Sequence, residues 1–304
     1  MNKKVYGYLG PPGTYSEMAL LKNCGDNCQR RSFKSIRKIV NGVKKGEISS
    51  GLLPLENSLE GSVNLSMDLL FKEEGFEITE EVILPIEHCL MVSPGVKMQD
   101  INEVLSHRQA IAQAGDFVEE ALPGAEIIYT ESTAAAAGEV EGSKIRAMIG
   151  AERISELYDL RILARDIVNG MENFTRFVLI EHKSLSGQDK HLKSSIHNRD
   201  YKTSLICAPK KNRPGILYEI LGEFAGRSID LTRIESRPTK KKLGEYLFFI
   251  DIEGHRVDEK TSKALKGVKE KCGLFKILGS YQKADFFLKN ERGGNKNAKQ
   301  KSVC

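Results

Sequence analysis

Asn173, Thr175 and Arg176 set an amide, a hydroxyl and a guanidinium directly before the apolar run Phe177-Val-Leu-Ile180. Polar groups buried there without partners cost free energy, so they are expected to face a ligand or one another. A second cluster of the same kind, Glu56-Asn57-Ser58, follows the apolar run Gly51 to Leu55. An amide, a hydroxyl and a guanidinium at fixed positions are hydrogen-bonding groups suited to a polar ligand. The competing reading is structural, with Asn173 and Thr175 in turn and cap bonds and Arg176 on a surface acid. Two such clusters at strand ends point to one crevice.

Four junctions repeat one design, in which a strand ends, small or polar residues follow and a helix begins. They are Gly10 to Ser16 with Thr14 at its centre, Glu56-Asn57-Ser58, Ser106-His107-Arg108-Gln109, and Glu131-Ser132-Thr133. Helix starts carry free N–H groups and partial positive charge, so together they can hold a small carboxylated ligand. Each Ser or Thr serves equally well as a plain N-cap. The glycine loop matches neither dinucleotide nor nucleoside-triphosphate spacing. His107 is a general acid or base, a donor to substrate, or a structural imidazole, and no metal-ligand spacing accompanies it; no cofactor is implied.

The elements that must position these groups alternate in an α/β rhythm. Strands are expected at Val5 to Leu9, Gly51 to Leu55 and Glu77 to Ile83, with helices from Ser16, over Ser35 to Gly46, and to about Phe71. A second α/β block follows, with strands at Glu87 to Val92, Glu103 to Leu105, Glu126 to Tyr129 and Ala147 to Ile149, and helices at Gln109 to Leu122, Thr133 to Glu139 and Ala151 to Tyr158. The chain then returns through Ile162 to Ala164 to the strand at Phe177. Residues 1–182 thus read as a bilobal unit, lobe 1 about 1–84 and 165–182 and lobe 2 about 85–164, with a cleft where ligands favour binding. Aperiodic polar residues over 183–200 read as a linker. From Tyr201 the order βαββαβ is ferredoxin-like, ending near residue 284.

A chain of 304 residues, 40% hydrophobic, has apolar surface for two or three cores. Its net charge of +5 is concentrated after residue 288, where Lys289, Arg292, Lys296, Lys299 and Lys301 face only Glu291. The rest is near neutral, which gives nucleic-acid binding little support. The tail 285–304 reads as disordered. No apolar run reaches the ~20 residues of a membrane span and no signal-peptide core follows Met1, so a cytoplasmic protein without membrane partners is expected. The six cysteines form no paired CxxC set and read as reduced thiols.

Taken together the segments GPPGTYSEMA, PLENSLEGSV (Pro54 to Val63), SHRQA (Ser106 to Ala110), ESTAAAA (Glu131 to Ala137) and NFTRF (Asn173 to Phe177) resemble the prephenate dehydratase family. The resemblance implies a fold similar to type II periplasmic binding proteins and conversion of prephenate to phenylpyruvate with loss of carbon dioxide and water. It assigns Thr175 to the leaving hydroxyl, Arg176 to a carboxylate or to orienting its neighbours, and Asn173, Asn57 and Ser58 to positioning. Glu56 polarises a hydroxyl or closes a helix-start network. Thr14, Ser106, His107, Gln109, Ser132, Thr133 and Phe177 complete the expected substrate contacts. Arg108 stands where the family has proline.

The C-terminal segments Asn212-Arg-Pro214-Gly215-Ile216-Leu217 and Glu235-Ser236-Arg237-Pro238 resemble the phenylalanine-binding motifs of an ACT domain, with Ile216 in place of alanine. That resemblance implies feedback inhibition by phenylalanine, association into a homodimer or homotetramer through ACT sheets, and some turnover remaining when residues from Tyr201 onward are removed. Arogenate dehydratase and a non-catalytic amino-acid sensor are the alternatives. No helical segment of chorismate mutase type precedes Val5, so a monofunctional chain is expected.

Overall fold

A computed structural model describes residues 4–168, 172–184, 201–239 and 245–284. The linker expected over 183–200 falls almost wholly outside these residues, and the tail 285–304 does so entirely. Lobe 1 is a mixed sheet with strand order β2-β1-β3-β11-β5, formed by β1 (Val5–Leu9), β2 (Gln29–Phe33), β3 (Ser50–Asn57), β5 (Phe76–Pro85) and β11 (Phe174–His182), with the short β4 (Gly61–Ser62) beside β3. Lobe 2 is a second sheet, ordered β10-β6-β9-β7-β8, from β6 (Cys89–Val92), β7 (Glu103–Ser106), β8 (Glu126–Tyr129), β9 (Arg146–Gly150) and β10 (Arg161–Ala164). The chain leaves lobe 1 after β5, builds lobe 2, and returns as β11, which inserts antiparallel between β3 and β5.

Helices follow from their apolar spacing and caps. α1 (Tyr15–Cys24) starts on Thr14, and α2 (Ile36–Lys44) buries Ile36, Ile39, Val40 and Val43 at helical spacing with Ser35 as its cap. α3 (Asn64–Lys72) follows β4. The single helix expected over Gln109 to Leu122 is two, α4 (Arg108–Gln113) and α5 (Gly115–Ala121), parted at Ala114. β2 was not expected, because Gln-Arg-Arg-Ser-Phe lacks an apolar face; it is an edge strand, where polar residues discourage pairing with other chains.

The C-terminal unit has strand order β13-β14-β12-β15, from β12 (Tyr201–Pro209), β13 (Leu231–Pro238), β14 (Tyr246–Glu253) and β15 (Cys272–Gln282). One face carries the helices Ile216–Ala225 and Glu259–Lys271 over Leu205, Cys207, Ile250 and Ile252. The other face, with Ile206, Leu247, Phe249, Leu278 and Tyr281, joins lobe 1 in one continuous core with Ile39, Leu53, Ile78 and Val178. A Cβ at Gly279 would overlap the Ile78 backbone, so only glycine permits β15 to lie this closely on β5. Truncation at Tyr201 would uncover this whole apolar face, so the two units are less separable than their sequences imply.

The cysteine expectation needs one correction. Cys24 and Cys28 are disulfide-bonded, because α1 ends at Cys24 and Gly25 (φ 75°) turns the chain back until their Cα atoms are 5.8 Å apart. Cys89, Cys207 and Cys272 are buried free thiols, and Cys304 lies outside the described residues.

Candidate active site

A cavity of about 520 Å³ lies between the two lobes. Its wall from lobe 1 includes Thr14, Tyr15, Asn57, Glu60, Asn173, Thr175 and Phe177. Lobe 2 and the crossing segments bring His88, His107, Gln109, Gln113, Ser132 and Thr133. Among the described residues no Lys or Arg lines it, and Glu60 and Glu131 are its carboxylates.

Strand pairing brings the two sequence clusters together. Thr175 lies opposite Asn57 in the β11–β3 ladder, which makes their side chains neighbours on one face. The Asn57 carboxamide is fully used. Its oxygen accepts from the Leu59 and Glu60 N–H groups at 3.0 Å each, and its nitrogen donates to Asn173 Oδ1 (2.7 Å) and Thr175 Oγ1 (2.9 Å). Because Thr175 Oγ1 accepts this bond, its own proton is left to donate into the cleft.

The array continues across the lobes. Asn173 Nδ2 donates to Gln113 Oε1 at 2.9 Å, and His88 Nε2 is 3.1 Å from the same oxygen. That oxygen only accepts, so Nε2 is the protonated nitrogen of a neutral His88, while Nδ1 lies 2.8 Å from the Tyr15 hydroxyl, which itself donates to the Glu87 carbonyl at 2.8 Å. Burial holds the His88 imidazole below its ordinary value, against the raising effect of Gln113, which favours this neutral form. Burial likewise pushes the Tyr15 phenol well above its ordinary value. Gln113, His88 and Tyr15 were not singled out in the sequence. Gln113 lies one helical turn beyond Gln109, a spacing that signals a shared helix face; His88 carries no such signal.

The helix-start residues act as caps, the plainer of their two readings. Thr14 accepts from Glu17 N, His107 Nδ1 from Gln109 N and Ser132 Oγ from Ala135 N. The turns they cap still supply Tyr15, Ser16, Gln109, Ala110 and Thr133 to the cavity. Arg108 occupies the first position of α4, where proline is also favoured, and its guanidinium sits 4.3 Å over the Tyr129 ring.

Four expected contacts lie elsewhere. Ser106 is buried and donates to the Ile149 carbonyl at 2.6 Å, tying β7 to β9. Ser58 bonds the Glu172 carbonyl and the Phe174 N–H, outside the cavity lining. Arg176 and Glu56 face away from the cleft, because strand β11 begins at Phe174 and side chains alternate along a strand. With Thr175 and Phe177 on the cleft side, Arg176 must point the other way. It donates to Glu81 (2.6 Å), Asp251 (2.5 Å) and the Tyr281 hydroxyl (2.8 Å), the last two on the C-terminal sheet. Glu56, opposite Arg176 in the ladder, pairs with Arg233 at 3.1 Å.

A second cavity, of about 400 Å³, lies in the C-terminal unit among Asn212, Gly215, Ile216, Leu217, Tyr246 and Phe248. Gly215 (φ 80°) adopts the left-handed backbone that starts the helix there. Pro214 is absent from the lining, and so are residues 235–238. Glu235 and Arg237 instead face lobe 1, Glu235 accepting from Ser62 and Arg237 pairing with Asp68 at 3.0 Å, while Ser236 and Pro238 are exposed on the opposite side. The alternation of β13 again separates neighbours that a linear motif groups together.

Fold and site together define a class: a bilobal α/β enzyme, its cleft armed with a neutral amide–hydroxyl array, joined to a ferredoxin-like C-terminal domain. The family profile for prephenate dehydratase matches residues 6–185, and that for the ACT domain matches residues 211–270. A prephenate dehydratase of Methanocaldococcus jannaschii is 38% identical over 286 residues, covering 92% of this chain and 98% of that one. A chloroplastic arogenate dehydratase/prephenate dehydratase 2 of Arabidopsis thaliana is 33% identical over 285 residues, 90% of this chain and 71% of its relative. The crystal structure of the prephenate dehydratase of Arthrobacter aurescens in complex with L-Phe superposes with a TM-score of 0.81 at 33% identity, covering 92% and 90% of the two chains. The chain belongs to the prephenate dehydratase family.

Proposed function

We propose that the interlobe cleft converts prephenate to phenylpyruvate, with Thr175 as the donor to the leaving oxygen. The observation that carries this reading is the bond from Asn57 to Thr175 Oγ1, which leaves the hydroxyl proton free to point at a ligand. In the reaction the ring carboxylate departs as carbon dioxide, its bonding electrons enter the ring, and the ring C–O bond breaks. The expelled hydroxide takes up a proton to become water. Aromatisation supplies the drive, so the protein need only orient the two leaving groups and stabilise the oxygen. A threonine hydroxyl is too weak an acid to give up its proton outright; a hydrogen bond to the departing oxygen, or a relay through water, is its role. Asn57, Asn173 and Gln113 hold that donor in place. The substrate carboxylates fall to the N–H groups of the capped turns, since no Lys or Arg among the described residues lines the cavity.

L-Phenylalanine is the proposed effector, bound in the cavity around Asn212, Gly215 and Leu217. A relative solved with L-Phe and the partial positive charge at the start of the adjoining helix support this. Exposed Tyr218 and Ile234 on the ACT domain support assembly of two or four copies through it. We place the reaction in the cytoplasm, with Cys89, Cys207 and Cys272 as buried free thiols and the Cys24–Cys28 disulfide as the exception to that redox setting.

Arogenate is a second candidate substrate, because Glu60 and Glu131 could receive its ammonium group. Incubating the purified protein with prephenate and with arogenate, with and without phenylalanine, tests the whole reading. Phenylpyruvate should form from prephenate and fall with phenylalanine; its absence would overturn the assignment.

A further inference from the structure

We propose that Asp251, on the ACT sheet, is a positioning residue for the reaction: through Arg176 it fixes the strand end on which Thr175 stands. The inference rests on the reading of Thr175 as the donor and assigns a role to a residue outside the cleft.

Thr175 is the second residue of β11, so only a short stretch of ladder precedes it. The register with β3 shifts between Arg176 and Phe177, interrupting the regular pairing immediately after the donor. On the β3 side the ladder is therefore less regular here than in the strand interior, while on the β5 side it runs unbroken from Phe174 to Leu179. The adjacent side chain adds a second grip, from the other domain. Arg176 is 10% exposed and spends all three nitrogens on partners, Nε on Glu81, Nη1 on Asp251 and Nη2 on Tyr281. A planar guanidinium bonded along three directions cannot rotate or slide without losing a buried bond.

Of these partners Glu81 belongs to lobe 1, whereas Asp251 and Tyr281 belong to the ACT sheet. Asp251 is itself fixed, with Ser204 donating to Oδ1 at 2.5 Å and the Ser204 hydroxyl 2.5 Å from the Tyr281 hydroxyl. Burial alone would raise the Asp251 carboxyl; Arg176 and Ser204 more than offset this and keep it ionised. The same arrangement recurs one strand away, where Asn57 faces the cleft and its neighbour Glu56 is held by Arg233 of the ACT domain. Both cleft residues of the array thus have a neighbour gripped from the other domain. The strand bearing Asp251 also contributes Tyr246 and Phe248 to the ACT cavity, so a rearrangement there has a rigid path to the donor.

The test is steady-state kinetics and thermal melting of the full chain carrying Asp251→Asn, beside Arg256→Gln. The latter breaks a different cross-domain pair, Arg256 with Glu77, which stands opposite Glu181 at the other end of β11 from Thr175. A misplacement of about 1 Å can cost on the order of a hundredfold in rate. Asp251→Asn is therefore expected to lower kcat by about tenfold or more with KM within about twofold, while Arg256→Gln lowers the melting temperature and leaves kcat unchanged. Should Asp251→Asn fail to fold, Tyr281→Phe removes the hydroxyl that bonds both Arg176 and Ser204 and is expected to lower kcat by about threefold. Unchanged kcat in the variant that folds, or an equal fall in Arg256→Gln, overturns the inference. Thr175→Ala, measured alongside, separates the two claims: full turnover there removes the reading of the site itself, whereas a collapse there with normal Asp251→Asn turnover removes only the positioning role.

Discussion

The two faces of the β3–β11 pair are built from adjacent residues and do opposite things. On the cleft face, Asn57 and Thr175 form a neutral array whose bonds are arranged to leave one proton unspent. On the ACT face, Glu56 and Arg176 enter a charged network with Glu81, Lys202, Asp251 and Arg233 in which every carboxylate meets a cation. Neutral donors suit a site that must release water and an anion, because they stabilise developing charge without trapping the product. Buried ion pairs suit a joint. They add little net stability over apolar packing, but losing one partner is costly, so they define a single docking geometry.

Each face can be disturbed separately. Arg176→Leu leaves Asp251 and Glu81 buried with one cation fewer, and urea unfolding should show a loss of about 3–5 kcal/mol. Thr175→Ala touches only the cleft face; kcat should fall about a hundredfold or more, with KM and the urea midpoint little changed. Gly279→Ala drives a methyl group into the Ile78 backbone where β15 crosses β5, and should cost about 1–3 kcal/mol without altering the pH profile of turnover.

The smallest effect concerns His88. Its folded-state pKa lies below the unfolded value, so the unfolded chain binds that proton more readily and stability falls as pH drops through and below about 6.5. His88→Gln should flatten that part of the stability profile. An unchanged slope between pH 7.5 and pH 5.5 would show that another group titrates there.

Much of this was legible in the residues themselves. Apolar spacing placed α2 and the C-terminal helices, alternating blocks announced two α/β lobes and a βαββαβ domain, and the Asn57 and Thr175 clusters pointed at one crevice. Other features left no local trace. Strand β2 is polar because it is an edge, and His88 earns its place in the cleft only through Tyr15 and Gln113, residues far from it in sequence. The bond between Cys24 and Cys28 depends on the turn at Gly25, which spacing alone does not reveal.

Arg176 and the segment Glu235 to Pro238 mark the boundary most clearly. Residue types and their order established that Thr175 and Arg176 must lie on opposite faces of any strand that holds both, since side chains alternate. They could not establish that this strand starts at Phe174, enters between β3 and β5, and receives the ACT sheet on one side and the cleft on the other. Those choices arise from contacts between segments more than seventy residues apart, such as Arg176 with Asp251. A chain specifies the chemistry of each of its faces locally, but only packing decides what each face meets.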